Sequence, residues 1–270
     1  MALNYSKDEP LRVGTLFSGY DSQCVALERL KRHYPEFDYE LVFWCEIDKN
    51  ACIAHDALFP QYANRNIGDI TKVNPYILPD CDLMTWSFPC TDLSVAGRMN
   101  GMQKGSGTRS SLAWDAIRIF KVKRPRFLLM ENVASLLSAK FIKDYHRIVC
   151  ALEEIGYENF TQILDATDYG VPQHRERVFM VSILRTGDES YPRFYFPKPF
   201  PLELRLKDVL EDKVDERYYL SDKMLDYFNR VDADKTHGHN FTPKDGNDTA
   251  FTIRTAPGNR VDDNFIREDE

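Results

Sequence analysis

Cys90 stands where an open α/β sheet would place a nucleophile. An apolar run typical of a buried strand ends at Phe88, and Pro89 fixes the backbone direction just before the cysteine. The following segment, 91–107, contains several glycines and basic residues, which is typical of a mobile, cationic loop. Positive charge near a thiol favours its reactive thiolate form. The alternative is that Cys90 is a small buried apolar residue, as most free cysteines are.

Glu131 is the candidate acid. It comes directly after the apolar run Arg126–Met130, so we expect its carboxyl group to be partly desolvated. A carboxyl group in that setting can hold or donate a proton near neutrality. The alternative is a capping role, in which the side chain of Glu131 or Asn132 accepts backbone N–H groups at the start of a helix.

Glu46 is a second acidic residue at a strand end. It follows the predicted strand Glu40–Cys45, where a carboxylate can accept hydrogen bonds from both ribose hydroxyls of a nucleotide. Asp48 precedes the predicted helix Lys49–Leu58 and can cap it. The two roles are compatible, with Glu46 on a ligand and Asp48 on the helix. Asp69 is expected at the same edge of the sheet.

Two arginines form a third candidate group. Arg175 and Arg177 alternate along an extended segment and therefore share one face, where their forked donors suit phosphate groups or base edges. His174 directly precedes Arg175 and is expected to face the other way, into packing or solvent.

These residues require a sheet whose strands end side by side. Strand, small-residue turn and helix over residues 11–31 are how a doubly wound sheet begins, and the turn lets a ligand approach the helix N-terminus. We predict an α/β fold with a doubly wound, mostly parallel, Rossmann-like sheet. The predicted strands are Leu11–Phe17, Glu40–Cys45, the run before Cys90, Arg126–Met130, and Phe160–Asp168 with Arg177–Leu184 as a possible antiparallel pair; Asn66–Thr71 is a short strand or turn. The predicted helices are Gln23–Lys31, Lys49–Leu58, Ser110–Phe120 (buried stripe Leu112, Trp114, Ile117, Phe120), Phe141–Ile155 and Ser221–Val231, with a helical turn over Leu204–Leu210.

Composition restricts the class of protein. The 270 residues carry a net charge of -7, contain no apolar run of membrane-spanning length and begin without the apolar core of a signal peptide, so we expect a cytoplasmic protein. The six cysteines include no CxxC pair, and His237 and His239 lack a third ligand, so we expect reduced thiols and no metal site. The segment from Arg98 to Arg126 is locally basic, opposed only by Asp115, and is either a nucleic-acid surface or a solvated face.

Taken in chain order, these segments resemble the motifs of the cytosine-C5 DNA methyltransferases over most of residues 11–184. Each triplet alone is unspecific, whereas their ordered recurrence at strand ends is highly specific. The matching segments are Phe17-Ser18-Gly19 (cofactor loop), Glu46-Ile47-Asp48 (ribose-binding acid), Gly68-Asp69-Ile70 (adenine contact), Phe88-Pro89-Cys90 (nucleophile), Thr108-Arg109-Ser110-Ser111-Leu112 (after the catalytic loop), Glu131-Asn132-Val133 (catalytic acid) and Gln173-His174-Arg175-Glu176-Arg177 (arginine motif).

The resemblance implies methyl transfer from S-adenosylmethionine to C5 of a cytosine flipped out of duplex DNA, with S-adenosylhomocysteine as product. Cys90 would add to C6, Glu131 would hydrogen-bond at N3, and Arg177 would hold O2 with support from Arg175. The loop 91–107 would close over the base. The residues implied to contact the cofactor are Phe17, Ser18, Gly19, Glu46, Ile47, Asp69, Ile70, Phe88 and Leu112.

The chain departs from that family's pattern at single residues and at its C-terminal end. Asp21 and Ser22 stand where many members carry further glycines, and Ile47 stands where a Trp often stacks on the adenine. The two motifs that normally follow the recognition region are not found before Glu270.

We therefore expect a catalytic S-adenosylmethionine-binding domain over 1–186 and the start of an incomplete target-recognition region over 187–270. The chain would be truncated or split, with a second polypeptide supplying the rest and no membrane involved. The alternatives are an RNA cytosine-C5 methyltransferase and a catalytically incomplete DNA-binding subunit. A nucleotide-dependent dehydrogenase would need a GxGxxG turn, which Gly19 and its neighbours do not provide.

Overall fold

The computed structural model describes residues 5–89, 109–185, 187, 193–233, 243–253 and 264–267. The chain divides into two compact units. The first unit is Met1–Ile163 with Arg177–Phe196, and the second is Leu164–Glu176 with Pro197–Glu270. Residues 164–176, which the sequence prediction placed in the domain 1–186, thus belong to the second unit. The functional roles assigned to the two predicted domains stay predictions.

One six-stranded sheet organises residues 11–184 of the chain. Its strands are β1 (Leu11–Leu16), β2 (Tyr39–Cys45), β3 (Leu83–Trp86), β4 (Phe127–Val133), β5 (Tyr157–Asp165) and β6 (Glu176–Leu184). They lie in the order β2-β1-β3-β4-β6-β5, with the first four parallel and β6 antiparallel to β4. The predicted α/β fold with a mostly parallel, doubly wound sheet is confirmed.

The first three parallel strands end level with one another, and β4 continues past that level. Leu16, the last residue of β1, lies opposite Cys45 at the end of β2 and opposite Trp86 at the end of β3. Trp86 lies opposite Met130 of β4. The residues that follow these four positions therefore share one edge of the sheet, where open α/β sheets bind their ligands.

Helices pack on the sheet through apolar side chains at helical spacing. Ala113, Ala116, Ile117 and Phe120 form a buried stripe on the third helix. The fourth helix ends at Gly156, whose φ of +110° is the left-handed conformation that terminates helices, as predicted. Among the described residues the α-helices are α1 (Ser22–His33), α2 (Lys49–Leu58), α3 (Ala113–Lys123), α4 (Ile142–Ile155) and α5 (Asp222–Ala233).

Two apolar clusters form the core. The larger one includes Trp86 and Met130 of the sheet together with buried residues of α3 and α4. The other includes Val13 and Trp44 with side chains of α1. Gly14 permits a close approach inside β1, because a Cβ at this position would lie 2.3 Å from the Phe43 ring.

β4 is longer than predicted. It continues through Glu131 and Asn132 to Val133 because its antiparallel partner β6 pairs with it up to that residue. Glu131 therefore lies inside a strand rather than just after one. The capping alternative for Glu131 and Asn132 is wrong, since the next 3-10 turn has Val133 at its N-cap and no side-chain cap.

Other boundaries shift by one short turn. Residues Arg109–Leu112 form a 3-10 turn, so α3 starts at Ala113, and Leu112 and Trp114 are only partly buried instead of forming its buried stripe. β5 ends at Asp165, where another 3-10 turn begins. Asn66 forms an isolated parallel bridge with Trp44, followed by a 3-10 turn over Ile70–Lys72, so the turn alternative holds for that segment.

The basic segment contributes packing contacts. Arg118 on α3 donates to the carbonyl oxygens of Val73 (2.7 Å) and Ile70 (2.9 Å), and Lys123 donates to the carbonyl of Leu78 (2.9 Å). These two side chains hold the connection between β2 and β3 against α3. The Lys123 side chain is only 10% exposed and is a packing residue, whereas 39% of the Arg118 side chain stays exposed.

The second unit contains the predicted C-terminal helix as α5 and the predicted helical turn as Leu206–Asp208. Two isolated parallel bridges join Gln173 to Ala250 and Lys244 to Ile266. None of the helices in the described ranges is long and apolar enough to span a membrane.

Candidate active site

The loop that joins β1 to α1 has an unusual backbone. Phe17 (φ +57°), Gly19 (+58°) and Asp21 (+65°) all adopt the left-handed conformation. For Phe17 and Asp21 this conformation costs on the order of 1–3 kcal/mol each, and such strain is concentrated at functional sites. A Cβ at Gly19 would meet nothing within 4 Å, so the space beside its backbone is open to a ligand.

Ser18 fastens this loop to the ends of two strands. Its backbone N–H donates to the Cys45 carbonyl (3.0 Å), and its Oγ accepts the Cys45 N–H (3.1 Å). Ser18 Oγ also lies 2.8 Å from the hydroxyl of Thr15. Ser18 is buried, so its predicted contribution to a cofactor site is the position that it gives to the loop.

Glu46 lies beside the same loop. One carboxylate oxygen accepts the N–H of Gly19 (2.9 Å), and the other accepts those of Ile47 (2.8 Å) and Asp48 (2.9 Å). Asp48 accepts the N–H of Ala51 (2.9 Å) and caps α2, as predicted. The segments of Gly19 and Glu46, both predicted to bind the cofactor, are thus directly bonded to each other.

Asn66 is a positioning residue that the sequence analysis did not single out. Its Oδ1 accepts the N–H groups of Glu46 (3.2 Å) and Gly68 (2.9 Å). Its Nδ2 donates to the Glu46 carbonyl (3.1 Å) and contacts the Cys52 sulfur (3.5 Å). All four bonding positions of the amide are therefore used. The sequence signal that could have identified Asn66 is its position two residues before the segment Gly68-Asp69.

Three other predicted cofactor residues differ in exposure. Ile47 is 70% exposed, whereas Ile70 is buried in the core. Asp69 accepts the hydroxyl (2.8 Å) and the backbone N–H (3.0 Å) of Thr71, and these bonds lower the pKa of its carboxyl group. Asp69 thus carries a negative charge at the edge that it shares with Glu46.

Glu131 and Arg177 are brought together by the antiparallel pairing of β4 and β6. Arg177 Nε lies 3.0 Å from Glu131 Oε1, and the side chains are 18% and 30% exposed. The guanidinium orients the carboxylate while leaving part of it open to solvent. Both residues were predicted to contact the substrate base.

The segment that leads to Cys90 lies against the end of β4. The buried side chain of Asn132 donates to the carbonyl of Phe88 (3.0 Å), and Phe88 packs against Trp86. Glu131 and the residues just before Cys90 are therefore neighbours at one sheet edge. Cys90 and the predicted loop 91–107 lie outside the described residues, as do the side chains of Arg109 and Ser110, and His237 with His239. Leu112, the remaining predicted cofactor residue, is partly buried against the core.

Arg175 lies in the second unit, whereas Arg177 belongs to the first. The backbone N–H of Arg175 donates to Asp165 Oδ1 (3.0 Å), and His174 Nδ1 lies 3.1 Å from Asp165 Oδ2. Burial acts to raise the pKa of Asp165, but hydrogen bonds from Arg175, Thr167 and His174 outweigh it and lower the pKa. The His174 ring is 58% exposed, on the solvent side that the sequence allowed.

The described residues contain no group of three or more His, Cys, Asp or Glu side chains that could hold a metal ion.

A family model described as C-5 cytosine-specific DNA methylase matches residues 11–262. The chain belongs to this family. The resemblance of the motif segments to cytosine-C5 DNA methyltransferases is thereby confirmed.

Curated type II methyltransferases resemble part of the chain. It is 44% identical over 162 residues to the type II methyltransferase M2.ScrFI of Lactococcus lactis subsp. cremoris, covering 60% of this chain and 44% of the relative. It is 34% identical over 200 residues to the type II methyltransferase M.HhaI of Haemophilus parahaemolyticus, covering 74% and 57%. The chain thus spans about half the length of these relatives.

A solved structure shares the fold. A DNMT2 mutant of Spodoptera frugiperda superposes with a TM-score of 0.69 at 19% identity, covering 88% of this chain and 68% of the other. At that identity the similarity concerns the fold of the methylase sheet and carries no information about substrate.

Proposed function

We propose that the chain forms the catalytic part of an enzyme that transfers a methyl group from S-adenosylmethionine to C5 of cytosine in duplex DNA. The observation that carries the proposal is the shared sheet edge. Gly19 and Glu46 lie at one part of this edge, while Glu131, Arg177 and the segment leading to Cys90 lie at another. A cofactor site beside a base site is the arrangement that methyl transfer requires.

The residues around Gly19 suit S-adenosylmethionine. The Glu46 carboxylate can accept hydrogen bonds from ribose hydroxyls, and the exposed Ile47 side chain offers an apolar surface to the adenine. Asp69 is an acceptor for an exocyclic amino group, and the open space at Gly19 admits the rest of the molecule. When bound, S-adenosylmethionine supplies a methyl group on a positively charged sulfur.

The protein's own residues would activate the cytosine. The Cys90 thiolate forms a bond to C6 and pushes an electron pair onto C5, while Glu131 hydrogen-bonds at N3 and Arg177 at O2. C5 then takes up the methyl group and S-adenosylhomocysteine is left. Loss of the C5 proton and departure of the thiolate from C6 restore the aromatic ring.

A paired cytosine cannot reach such residues, so the target base must leave the duplex. We assign closure over the flipped base to the loop 91–107, whose glycines and basic side chains suit contact with DNA, and support of the base pocket to Arg175. Because the match covers only 44% and 57% of these curated relatives, we propose that further polypeptide completes the recognition region and the cofactor pocket. A longer chain or a second polypeptide could supply it.

The test is incubation of the chain with methyl-labelled S-adenosylmethionine and long duplex DNA of mixed sequence, followed by mapping of modified bases. The proposal expects label at cytosine C5 with the wild type, alone or together with the polypeptide that completes it, and none with Cys90→Ser. A parallel reaction with tRNA separates an RNA enzyme, which would label tRNA and not DNA. DNA binding without label would instead indicate a catalytically incomplete subunit.

A further inference from the structure

A buried carboxylate lies beneath the candidate cofactor loop and has no role in the mechanism above. Asp21 is fully buried, and its backbone is in the left-handed conformation (φ +65°). It precedes α1 but does not cap this helix with its side chain. Oδ2 accepts the Thr15 hydroxyl (2.8 Å), and Cys24 is a further hydrogen-bond donor to the carboxylate.

Asp21 is the end of a chain of hydrogen bonds. Because an ionised carboxylate can only accept, Thr15 gives its single proton to Asp21. Ser18 Oγ lies 2.8 Å from the Thr15 hydroxyl and can donate to it or to the carbonyl oxygens of Thr15 (3.2 Å) and Cys45 (3.3 Å). Ser18 Oγ also accepts the Cys45 N–H at 3.1 Å. The chain runs from the end of β2 through the loop to Asp21 and fixes where Ser18 sits.

The elements packed around Asp21 supply no cation to balance its charge at neutral pH, within the part of the chain that the structure describes. From α2, the buried His55 places Nε2 3.8 Å from Asp21 Oδ2, and burial lowers the pKa of this imidazole, which keeps it neutral. From α1, Cys24 is fully buried, and burial raises the pKa of its thiol, which keeps it protonated. Burial also raises the pKa of Asp21 to about 6, against opposing hydrogen bonds from Thr15 and Cys24.

An ionised carboxylate in this position destabilises the folded chain. A residue that served only packing would be more stable as a neutral side chain. The Asp21 carboxylate is connected through Thr15 to Ser18. The next residue is Gly19, whose N–H donates to Glu46. The buried Asp21 carboxylate therefore lowers the stability of the folded chain but fixes the geometry of the candidate cofactor loop.

We propose that Asp21 is a positioning residue for the cofactor: acting through Thr15 and Ser18, its carboxylate holds the loop so that the Gly19 backbone and the Glu46 carboxylate face the ligand. This rests on the proposed function, since it takes S-adenosylmethionine as the ligand of the loop. Protonation of Asp21 weakens the hydrogen bond from Thr15, because a neutral carboxyl oxygen is a poorer acceptor than a carboxylate, and it thereby weakens cofactor binding.

The experiment measures calorimetric binding of S-adenosylhomocysteine from pH 5 to 8 and the melting temperature of each variant. Asp21→Asn keeps the size of the side chain, and Asn tolerates the left-handed backbone. Thr15→Val removes the hydroxyl at the same size. Asp38→Asn is the matched control. It makes the same chemical change directly before β2, at the end of that strand away from the candidate cofactor loop.

With wild type we expect binding to weaken as the pH falls through 6. Asp21→Asn should bind about tenfold more weakly at pH 7.5, show no such pH dependence and melt at a higher temperature. Thr15→Val should weaken binding similarly, and the double variant no further, because both act through one chain of bonds. Asp38→Asn should bind like the wild type.

Equal binding by Asp21→Asn and the wild type would overturn the inference, as would weaker binding accompanied by a lower melting temperature, which marks a purely structural role. Absence of binding by the wild type, with and without the polypeptide proposed to complete the cofactor pocket, would contradict the proposed function, and the inference with it. Failure of the proposed function is therefore seen with the wild type, whereas failure of the inference alone is seen with Asp21→Asn.

Discussion

Arg177 Nε lies 3.0 Å from Oε1 of Glu131, and this contact exists because β6 runs antiparallel to β4 with Arg177 opposite Val133. The two side chains come from segments that are distant in the chain. Their partial exposure leaves room for a base edge beside them. The pair thus defines the part of the sheet edge where the substrate base is proposed to bind.

Glu131→Gln tests the role of the carboxyl group at this pair. Gln cannot exchange a proton at N3, so we expect the rate of methyl transfer to fall about 10²- to 10⁴-fold. Binding of S-adenosylhomocysteine should change less than about twofold, because no described contact links Glu131 to the Gly19 loop. Single-turnover kinetics and calorimetry measure the two quantities. A matched change on α4, Glu154→Gln, should affect neither, and an active Glu131→Gln would refute the assignment.

Glu46→Gln tests the cofactor side of the edge. The carboxylate accepts three backbone N–H groups, and an amide places a donor where one oxygen now accepts. We expect affinity for S-adenosylhomocysteine to fall about 10- to 100-fold by calorimetry. Glu40→Gln, the same change at the start of β2, should leave affinity unchanged. Equal affinities of the two variants would show that Glu46 does not face the cofactor.

Asn66→Ala tests the residue that holds Glu46. Removing four polar contacts of a partly buried amide should lower the free energy of unfolding by about 1–3 kcal/mol, measured by urea denaturation. Cofactor affinity should fall as well, because the Glu46 backbone loses both of its bonds to this side chain. Asn66→Asp keeps the acceptor oxygen and should have an intermediate effect. A variant with native stability and affinity would contradict the positioning role.

The sign of the pH dependence distinguishes Asp21 from an ordinary surface carboxylate. Its pKa is raised from 3.8 to about 6, so its contribution to stability is fully present below pH 4 and lost as the pH rises through 6. At pH 7.5, Asp21→Asn should therefore be more stable than the wild type by up to about 3 kcal/mol, and the difference should vanish near pH 4.

Asp38 provides a control of opposite sign. Burial acts to raise its pKa, but the hydrogen bond from Lys31 outweighs this and lowers the pKa. Its stabilising effect is therefore present at neutral pH and lost in acid, so Asp38→Asn should be less stable than the wild type at pH 7.5. Urea denaturation at pH 7.5 and pH 4 measures the free energy of unfolding of both variants. If both variants differ from the wild type in the same direction at pH 7.5, the account of Asp21 is contradicted.

Much of the fold could be predicted from sequence because local patterns specify it. Buried strands such as β1 and β3 are short apolar runs, and Gly156 marks the end of α4 as expected. The end of β4 could not be predicted, since only pairing with the distant β6 extends it through Glu131. Likewise, Ala113 and Ala116 are buried while the larger Trp114 is only partly so, because tertiary packing sets the inward face of α3.

The candidate site shows the same division. The types and order of Glu46, Glu131 and Arg177 are visible in the chain, but the contacts that orient them are long-range. Asn66 reaches Glu46 by way of a turn, and Asp21 reaches Ser18 through a hydroxyl on β1. Neither arrangement follows from spacing. The basic residues Arg118 and Lys123 were ambiguous for the same reason, until their carbonyl partners were known.

The most direct test of the account is to trap the proposed bond between Cys90 and the base. A long duplex of mixed sequence, made with 5-fluorocytosine in place of cytosine, contains short target sites whichever sequence the enzyme recognises. Fluorine cannot leave C5 as a cation, so the Cys90–C6 bond should persist after methyl transfer. With S-adenosylmethionine, the wild type should give a denaturant-resistant complex whose peptide map places the DNA on Cys90, and Cys90→Ser should give none. Equal amounts of complex with Cys90→Ser would contradict the account, as would no complex with the wild type both alone and together with the polypeptide that completes it.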